Sequence, residues 1–536
     1  MTPQPAIVLA TLNARYIHAS LGLRYLLANM GELRQRTVLC EFTIARPVGE
    51  IVDELLAALD TLQTASDVRA VQVLGFGVYI WNVEQTTEVM RALKAARPEV
   101  RIVLGGPEVS HEYDDQEIVG LADHVITGWG DASFPKLCQA LIDGRQAPRI
   151  IAGEQPPLAE IIMPYGEYSE DDLAHRLLYV EASRGCPFKC EFCLSALDRT
   201  AWSFDLDRFL AEMQRLYERG ARNFKFVDRT FNLKVDDSAR ILQFFLDRLG
   251  DEASAGTLFG RLFVHFEVIP DHLPERLRQL IAQFPAGVLQ LEVGIQTFNV
   301  EVQQRISRRQ DNQKSEANLR WLLKHTNAHV HADLIFGLPG ETLESFARGF
   351  DRLYGMRPHE IQLGLLKRLR GTPIARHTVE HGMVYDERPP YSVQQTGVVD
   401  ADTVLRFTRL ARYWEMLANS GRFRESMIVV MDEGAASSAF QSFMDFSDWL
   451  WARAQRTNGL SPEWLVDALF DYLVARGLPC EEVRSSLLSD YVTSGARGGP
   501  VALVGRLPKR NEPDRRARAR ALRQDQHLAA LGAGSG

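Results

Sequence analysis

Cysteine is scarce, six among 536 residues. The opening Met1-Thr2-Pro3-Gln4-Pro5 has no basic stretch ahead of the seven-residue apolar run Ala6 to Leu12. The sequence therefore predicts neither an export signal nor a disulfide framework, and the expected setting is the reducing cytoplasm. No segment reaches the ~18 to 20 apolar residues of a membrane helix. Basic charge is not in excess: 61 Lys plus Arg stand against 69 Asp plus Glu, a net charge of -8, which gives no electrostatic case for a nucleic-acid coat. With 46% apolar and 24% charged residues, disorder, collagen and coiled coil are excluded. At roughly 150 residues each, three or so domains are expected.

The chain does contain two series of alternating strand and helix patterns. In residues 1–145, strand-like runs at Ala6 to Leu12, Thr37 to Ile44, Ala70 to Val78, Arg101 to Leu104 and His124 to Thr127 interleave with helical spacing at Glu50 to Leu62, Val83 to Ala96 and Phe134 to Ile142. This predicts a small doubly wound, flavodoxin- or Rossmann-like α/β domain with ligands at the carboxyl ends of its strands. The loops there are Asn13 to His18 (with Tyr16), Tyr79 to Asn82 (with Trp81), Gly105-Gly106-Pro107-Glu108 and Gly128-Trp129-Gly130-Asp131. Glycines admit close backbone approach and aromatics offer faces to a large planar group. Any one loop alone reads rather as turn glycines and packing aromatics. Four on one rim favour a site.

Prolines at 148, 156, 157 and 164 mark residues 146–176 as a linker. Six further strand runs follow in 177–375, at Tyr179 to Ala182, Asn223 to Val227, Phe263 to Val268, Leu289 to Gly294, His329 to Ile335 and Glu360 to Leu365. Helical patterns between them predict a partial (β/α)6 barrel of TIM type. Residues 376–504 read as mostly α-helical. Residues 505–536 form a basic, flexible tail, with eight basic residues between Gly505 and Arg523 against Glu512 and Asp514.

Three cysteines, Cys186, Cys190 and Cys193, follow the first barrel strand at offsets of four and three. A structural zinc wants four ligands in two separated pairs, and no second pair lies nearby. Gly185, Pro187 and Lys189 mark a loop, against a buried packing role. Three thiolates can hold a cubane iron-sulfur cluster with one iron left open for chemistry. His329 and His331 alternate onto one face without a matching carboxylate or thiol, and with His265 they are expected to be satisfied barrel histidines.

This CxxxCxxC spacing, with Phe192 before the third cysteine, resembles the radical S-adenosylmethionine superfamily. Phe226 to Asn232, Leu291 to Thr297 and Asp333 to Glu341 match the same family's barrel pattern. The resemblance implies a 4Fe-4S cluster on Cys186, Cys190 and Cys193, and S-adenosylmethionine reductively cleaved to a 5'-deoxyadenosyl radical. Its contacts would be Phe192, Asp228, Thr230, Asn232, Glu292, Gln296, Gly337 and Gly340. Glu292 and Gln296, on alternate positions of one strand, would take the ribose or methionine end. Asp228, Thr230 and Asn232 would meet the ammonium group or the substrate, and Gly337 and Gly340 would admit the adenine.

The N-terminal domain resembles the cobalamin-binding domain fused ahead of such barrels. Gly105, Gly106, Gly128 and Gly130 would line the corrinoid's nucleotide tail, with Asn13, Tyr16 and Trp81 on the same rim. Two departures stand out: Asp131 replaces the usual Glu, and Trp129 is bulky. The Asp-x-His-x-x-Gly of cobalamin mutases is not met either, because His18 and Gly22 are one residue too far apart and Tyr16 replaces the Asp. Cobalt is thus expected without a lower imidazole, and His18 is expected to hydrogen-bond within the loop. The resemblance implies methyl transfer to an unactivated carbon of a small-molecule or peptide substrate, with electrons from a reductase with flavodoxin or from a ferredoxin, and no nucleic-acid or membrane partner. A radical cyclase, rearrangement or oxidoreductase using cobalamin without methyl transfer, and a non-catalytic corrinoid or iron-sulfur sensor, are the alternatives.

Overall fold

The computed structural model describes residues 6–62, 71–249, 262–431, 438–494, 496 and 498–507. The basic tail lies outside them from residue 508 onward. The chain divides into two compact units, Met1–Arg229 with Arg368–Pro373 and Asp386–Tyr391, and Thr230–Lys367 with Ile374–Tyr385 and Ser392–Gly536. Among the described residues no helix is long and apolar enough to cross a membrane.

In the first unit, β1 (Ala6–Asn13), β2 (Thr37–Thr43), β3 (Gln72–Gly77), β4 (Arg101–Gly105), β5 (His124–Thr127) and β6 (Ile150–Ala152) form one parallel sheet of order β2-β1-β3-β4-β5-β6. All eight residues of β1 are buried, as a strand covered on both faces must be, which is why its sequence runs apolar rather than alternating. Ile51, Leu55, Val89 and Leu93, from the helices Val48–Leu62 and Val83–Ala96, pack in one core cluster. Leu23, Leu27, Phe134 and Leu137, from the helices Leu21–Ala28 and Ser133–Ile142, pack in another. The strand order reverses about β1, so the loops after β1 and β3 flank a switch point, where such sheets bind ligands.

The stretch 146–176 is more than a connector. It supplies β6, two 3-10 turns and the short helix Glu170–His175, and buries Leu158, Ile161, Tyr165, Tyr168 and Leu173. Arg24, whose guanidinium is 2.7 Å from Glu41 and 2.8 Å from Asp172, ties this stretch to the sheet, with Arg176 adding a contact to Glu41 at 2.8 Å. Burial pushes the Glu41 carboxyl up, but the two guanidiniums outweigh it and hold the group below its ordinary range.

Six parallel strands make the expected second series. Two lie in the first unit: β7 (Leu178–Val180) pairs with β10 (Asn223–Phe226), and between them β8 (Ser183–Arg184) and β9 (Trp202–Ser203) form a small antiparallel hairpin. Four lie in the second: β11 (Phe263–Val268), β12 (Leu289–Gln296), β13 (His329–Phe336) and β14 (Glu360–Leu365), paired in that order. Thr342 caps the helix Leu343–Tyr354 by accepting from the Ser345 amide, and Phe346, Phe350 and Leu353 recur on its buried face. After a short hairpin of β15 (Val384–Tyr385) and β16 (Val393–Gln395), the chain is helical. The helix Ala401–Leu417 lies along β14: Trp414 Nε1 donates to Ile361 O at 2.8 Å, and the Asn419 side chain both accepts from and donates to the Ile361 backbone, at 3.1 and 3.0 Å.

Candidate functional site

The three cysteines sit in the loop between β8 and β9. Gly185 enters it at φ +81, and a Cβ there would come within 2.7–2.9 Å of Thr200, Ala201 and Asp198, so only glycine fits. Cys186 N donates to Asp198 O at 2.9 Å and Cys193 N to Cys190 O at 3.1 Å. Cys186 is buried, while Cys190, Cys193 and Phe192 are half-buried, and none of the three cysteines is in a disulfide. Burial pushes the Cys186 thiol up, and the neighbouring Cys193 and Cys190 add to this. Three thiols in one short loop are a donor set suited to a cationic iron centre. The remaining cysteines are elsewhere: Cys40 is pushed up to about 11 by burial, Cys138 is raised by deep burial, and Cys480 is exposed.

Asp228, directly after β10, is buried, and both its oxygens are engaged, one by the Ala182 amide at 3.0 Å and the other by the Ser183 hydroxyl at 2.5 Å. Desolvation lifts its pKa to about 7, against the pull of the Ser183 hydrogen bond. It thus holds the start of the cysteine hairpin.

In the same unit, a cavity of about 450 Å³ opens at the carboxyl ends of β3, β4 and β5. Gly105, Gly106, Gly128 and Gly130 line it together with Tyr79, Trp129, Asp131, Glu181 and Arg184. A Cβ on Gly128 would meet nothing within 4 Å, and one on Gly105 only Ile126 O at 3.7 Å. The missing side chains are therefore open space, a cradle of the kind a large ligand fills. Gly106, at φ +109, has a different reason: its Cβ would strike Val78 O at 2.4 Å.

Asn13, Tyr16 and Trp81 are not among the lining residues. Asn13 ends β1 and donates to Glu41 at 2.9 Å. Tyr16 is exposed, with its hydroxyl on Asp171 and the Arg176 guanidinium over its ring at 4.4 Å. Trp81 stacks on Tyr79 at 4.5 Å and donates to Leu12 O, so Tyr79 takes the cavity position instead. His18 Nδ1 is 2.8 Å from the Tyr179 hydroxyl, and no histidine lines the cavity.

The two unusual residues of the Gly128 to Asp131 turn bind the cysteine hairpin. Asp131 makes a two-pronged pair with Arg184, at 2.8 and 3.1 Å, and Glu181 contacts the same guanidinium at 2.7 Å. Arg184 lies over the Tyr25, Trp129 and Phe204 rings at 4.3, 4.8 and 5.7 Å. Trp129 Nε1 donates to Asp198 Oδ2 at 2.8 Å. Glu108, beside the glycine pair, faces away from the cavity and accepts from Arg370 and Tyr391, at 2.9 and 2.5 Å.

In the second unit, β12 alternates buried and half-buried residues, placing Gln290, Glu292, Gly294 and Gln296 on one face. Glu292 lies 3.2 Å from His265, His331 lies 3.3 Å from Asp333, and His329 lies 3.6 Å from Glu360, so each strand histidine stands beside a carboxylate that its sequence spacing did not announce. Gln296 adopts φ +67 at a register shift in the β12–β13 pairing. Asn232 is fully engaged by the loop after β11, donating to Ile269 O and His272 O and accepting from Ile269 N; Thr230 opens the preceding 3-10 turn. These bonds account for Asn232 without a ligand. Gly337 and Gly340, at φ +84 and +71, are crowded by Val393 and Arg305 of the chain itself.

Glu341 is a residue the site expectation missed. It is buried, accepts from Thr297 at 2.6 Å through one oxygen, and leaves the other oxygen buried without a hydrogen bond. Desolvation lifts it to about 7. The end of the Gly337-Leu338-Pro339-Gly340-Glu341 motif was the available signal.

Comparison with known proteins agrees with this geometry. Residues 180–353 match the Radical SAM superfamily model, 7–138 the B12 binding domain, and 379–528 a protein of unknown function (DUF4080). The chain is 22% identical over 481 residues to the cobalamin-dependent radical SAM methyltransferase TokK of Streptomyces tokunonensis, covering 80% of this chain and 69% of that one. It is 29% identical over 235 residues to the uncharacterized methyltransferase PH0819 of Pyrococcus horikoshii, covering 37% of this chain. The match spans half the length of that Pyrococcus relative.

Among solved structures, the cobalamin-dependent S-adenosylmethionine radical enzyme OxsB aligns at TM-score 0.58 and 13% identity, covering 91% of this chain and 78% of that one. The methyltransferase TsrM of Kitasatospora setae aligns at 0.54 and 15%, covering 84% and 95%. At these identities the likeness is one of fold. The cysteine loop thus lies within a Radical SAM superfamily domain, and the glycine turns of the cavity lie within a B12 binding domain ahead of it.

Proposed function

We propose that the protein is a cobalamin-dependent radical S-adenosylmethionine methyltransferase acting on an unactivated carbon. The observation that carries this reading is the direct bonding of the cavity turn to the cysteine hairpin, through Asp131–Arg184 and Trp129–Asp198. The cofactors, when bound, supply one-electron cleavage of S-adenosylmethionine at the cluster and a methyl group carried on cobalt.

The protein's own work is to hold and position. Cys186, Cys190 and Cys193 supply the thiolates, and Asp198 fixes their loop by accepting from Cys186 N. Gly105 and Gly128 would leave room for the corrinoid, with Gly106 and Gly130 lining the same cavity. Glu292, Gln296 and Glu341 are assigned to the polar end of S-adenosylmethionine. Thr230, Asn232, Gly337 and Gly340 shape the turns beside it, and Asp228 keeps the cysteine hairpin seated. Such an enzyme needs a small-molecule or peptide substrate and an electron donor, for which a flavodoxin with its reductase or a ferredoxin fits a cytoplasmic setting.

The test is anaerobic reconstitution with iron, sulfide and hydroxocobalamin, followed by S-adenosylmethionine and a reductant. The expected products are 5'-deoxyadenosine and, with substrate, S-adenosylhomocysteine in step with methylated product. Deoxyadenosine without S-adenosylhomocysteine would turn the reading to a cyclase or oxidoreductase, and neither product would turn it to a sensor. Cys186→Ala, Cys190→Ala and Cys193→Ala each lose cluster absorbance and cleavage while retaining corrinoid.

A further inference from the structure

We propose that His377, Glu380 and His381 form a second metal site, selective for a divalent transition metal of zinc type. Their ligand atoms, one ring nitrogen from each histidine and a carboxylate oxygen, all lie within 4.8 Å of one another. They are the one such group of three among the described residues.

The backbone explains the convergence. A 3-10 turn, Pro373–His377, runs into a single helical turn closed by His381 N donating to His377 O at 3.1 Å. One turn of helix brings residues four apart onto one side, and the carboxylate three positions on joins them. The turn is then locked from outside: Met383 N donates to Thr378 O at 2.9 Å, and Gly397 N donates to His381 O at 2.7 Å. Gly382, at φ +52, and Gly397 allow the two backbones to meet, since a Cβ on Gly382 would stand 3.2 Å from Gly397 Cα. Two of the three donors are therefore set by the fold before any ion arrives.

Burial is graded as a metal site requires. His377 is buried, His381 half-buried and Glu380 exposed, so the group has a fixed base and an open mouth. The histidine rings stand 5.6 Å apart and 43° from coplanar. Arg376 Nε reaches His377 Nε2 at 3.4 Å, a long hydrogen bond that a metal would replace. Two imidazoles and one carboxylate are the donors that suit zinc, and three protein ligands leave a coordination position for water or for an oxygen or nitrogen of a bound molecule. Magnesium, which prefers an octahedral shell of oxygens, is a poor match.

The test uses the full chain with its iron-sulfur cluster in place, so that the thiolates of the cysteine loop are already occupied. The protein is equilibrated with zinc sulfate, passed through a desalting column and analysed for zinc, beside His381→Ala and Glu380→Gln. Both substitutions alter side chains at the mouth of the site, and circular dichroism checks that each variant is folded. The expected result is one zinc per chain in the parent, lost or bound at least tenfold more weakly in both variants. X-ray absorption should show nitrogen and oxygen neighbours at about 2.0–2.1 Å and no sulfur, and a tenfold excess of magnesium should not displace the zinc. Equal zinc in parent and variants, a sulfur shell, or no retained zinc in the parent overturns the proposal. None of these readouts depends on cleavage of S-adenosylmethionine, so the site stands or falls apart from the proposed methyl transfer.

Discussion

Trp129 Nε1 donates to Asp198 Oδ2 at 2.8 Å, while Asp198 O accepts from Cys186 N at 2.9 Å. One aspartate thus connects the cavity turn to the first cysteine. Trp129→Phe keeps the ring and removes the donor. It should cost about 1 kcal/mol of stability and shorten the lifetime of the reconstituted cluster, read as decay of its visible absorbance under a fixed chelator challenge. An unchanged lifetime would show that the bond does not steady the loop.

Arg184 is a buried cation held by Asp131 and Glu181. Removing one partner from such a pair strands the other charge, at a cost of about 3–5 kcal/mol. Asp131→Ala should therefore lower the denaturation midpoint sharply. The combined change Asp131→Leu, Glu181→Leu and Arg184→Met, which removes the cation and both its partners, should recover most of that loss while failing to restore corrinoid binding. Denaturant titration of the three proteins checks the first part and absorbance titration with hydroxocobalamin the second.

Asp228 and Glu341 are both lifted to about 7 by burial. A carboxyl whose folded pKa exceeds its unfolded value binds a proton more readily in the folded state, so its contribution opposes folding increasingly as pH rises from about 4 to 7. Above about 7 the penalty is constant. Asp228→Asn should flatten this slope, leaving a variant less sensitive to pH across that window by an amount on the order of a few kcal/mol. Parallel pH slopes for parent and variant would contradict the assignment.

A side chain on Gly105 would project into the cavity without meeting the protein closely. Gly105→Val should leave the melting temperature within a few degrees of the parent and weaken hydroxocobalamin binding at least tenfold. Equal affinity would remove Gly105 from the corrinoid site.

Gln296 holds a left-handed backbone at the end of β12. That conformation costs a non-glycine residue about 1–3 kcal/mol and is retained where function needs it. Gln296→Gly should not lower stability, yet should weaken S-adenosylmethionine binding at least tenfold in an equilibrium dialysis measurement.

Much of this was legible in the sequence because long periodic stretches fix their own state. Val83 to Ala96, Phe263 to Val268 and Glu360 to Leu365 fall where their patterns place them. The segment 146–176 misled because its prolines signal loops, while three residues of β6 are too few to show a period. Spacing alone places the three cysteines in one loop. Asn13, Tyr16 and Trp81 lie off the cavity lining, since periodicity assigns strand faces but not the direction of side chains in the turn beyond. Gly337 and Gly340 show the same limit: the pattern announces a glycine, and only the fold reveals that Val393 and Arg305 demand it. In His377-Thr378-Val379-Glu380-His381 spacing alone does not bring the side chains together; the turn closed by the His381 amide does.

The side chain of Asn419 treats Ile361 as a neighbouring strand would, offering one acceptor and one donor to its main chain. An amide side chain thereby terminates the sheet's margin, and Trp414 seals the same rung. Without this helix the outer edge of β14 would be left as an unpaired ladder, the kind of edge that other strands can join.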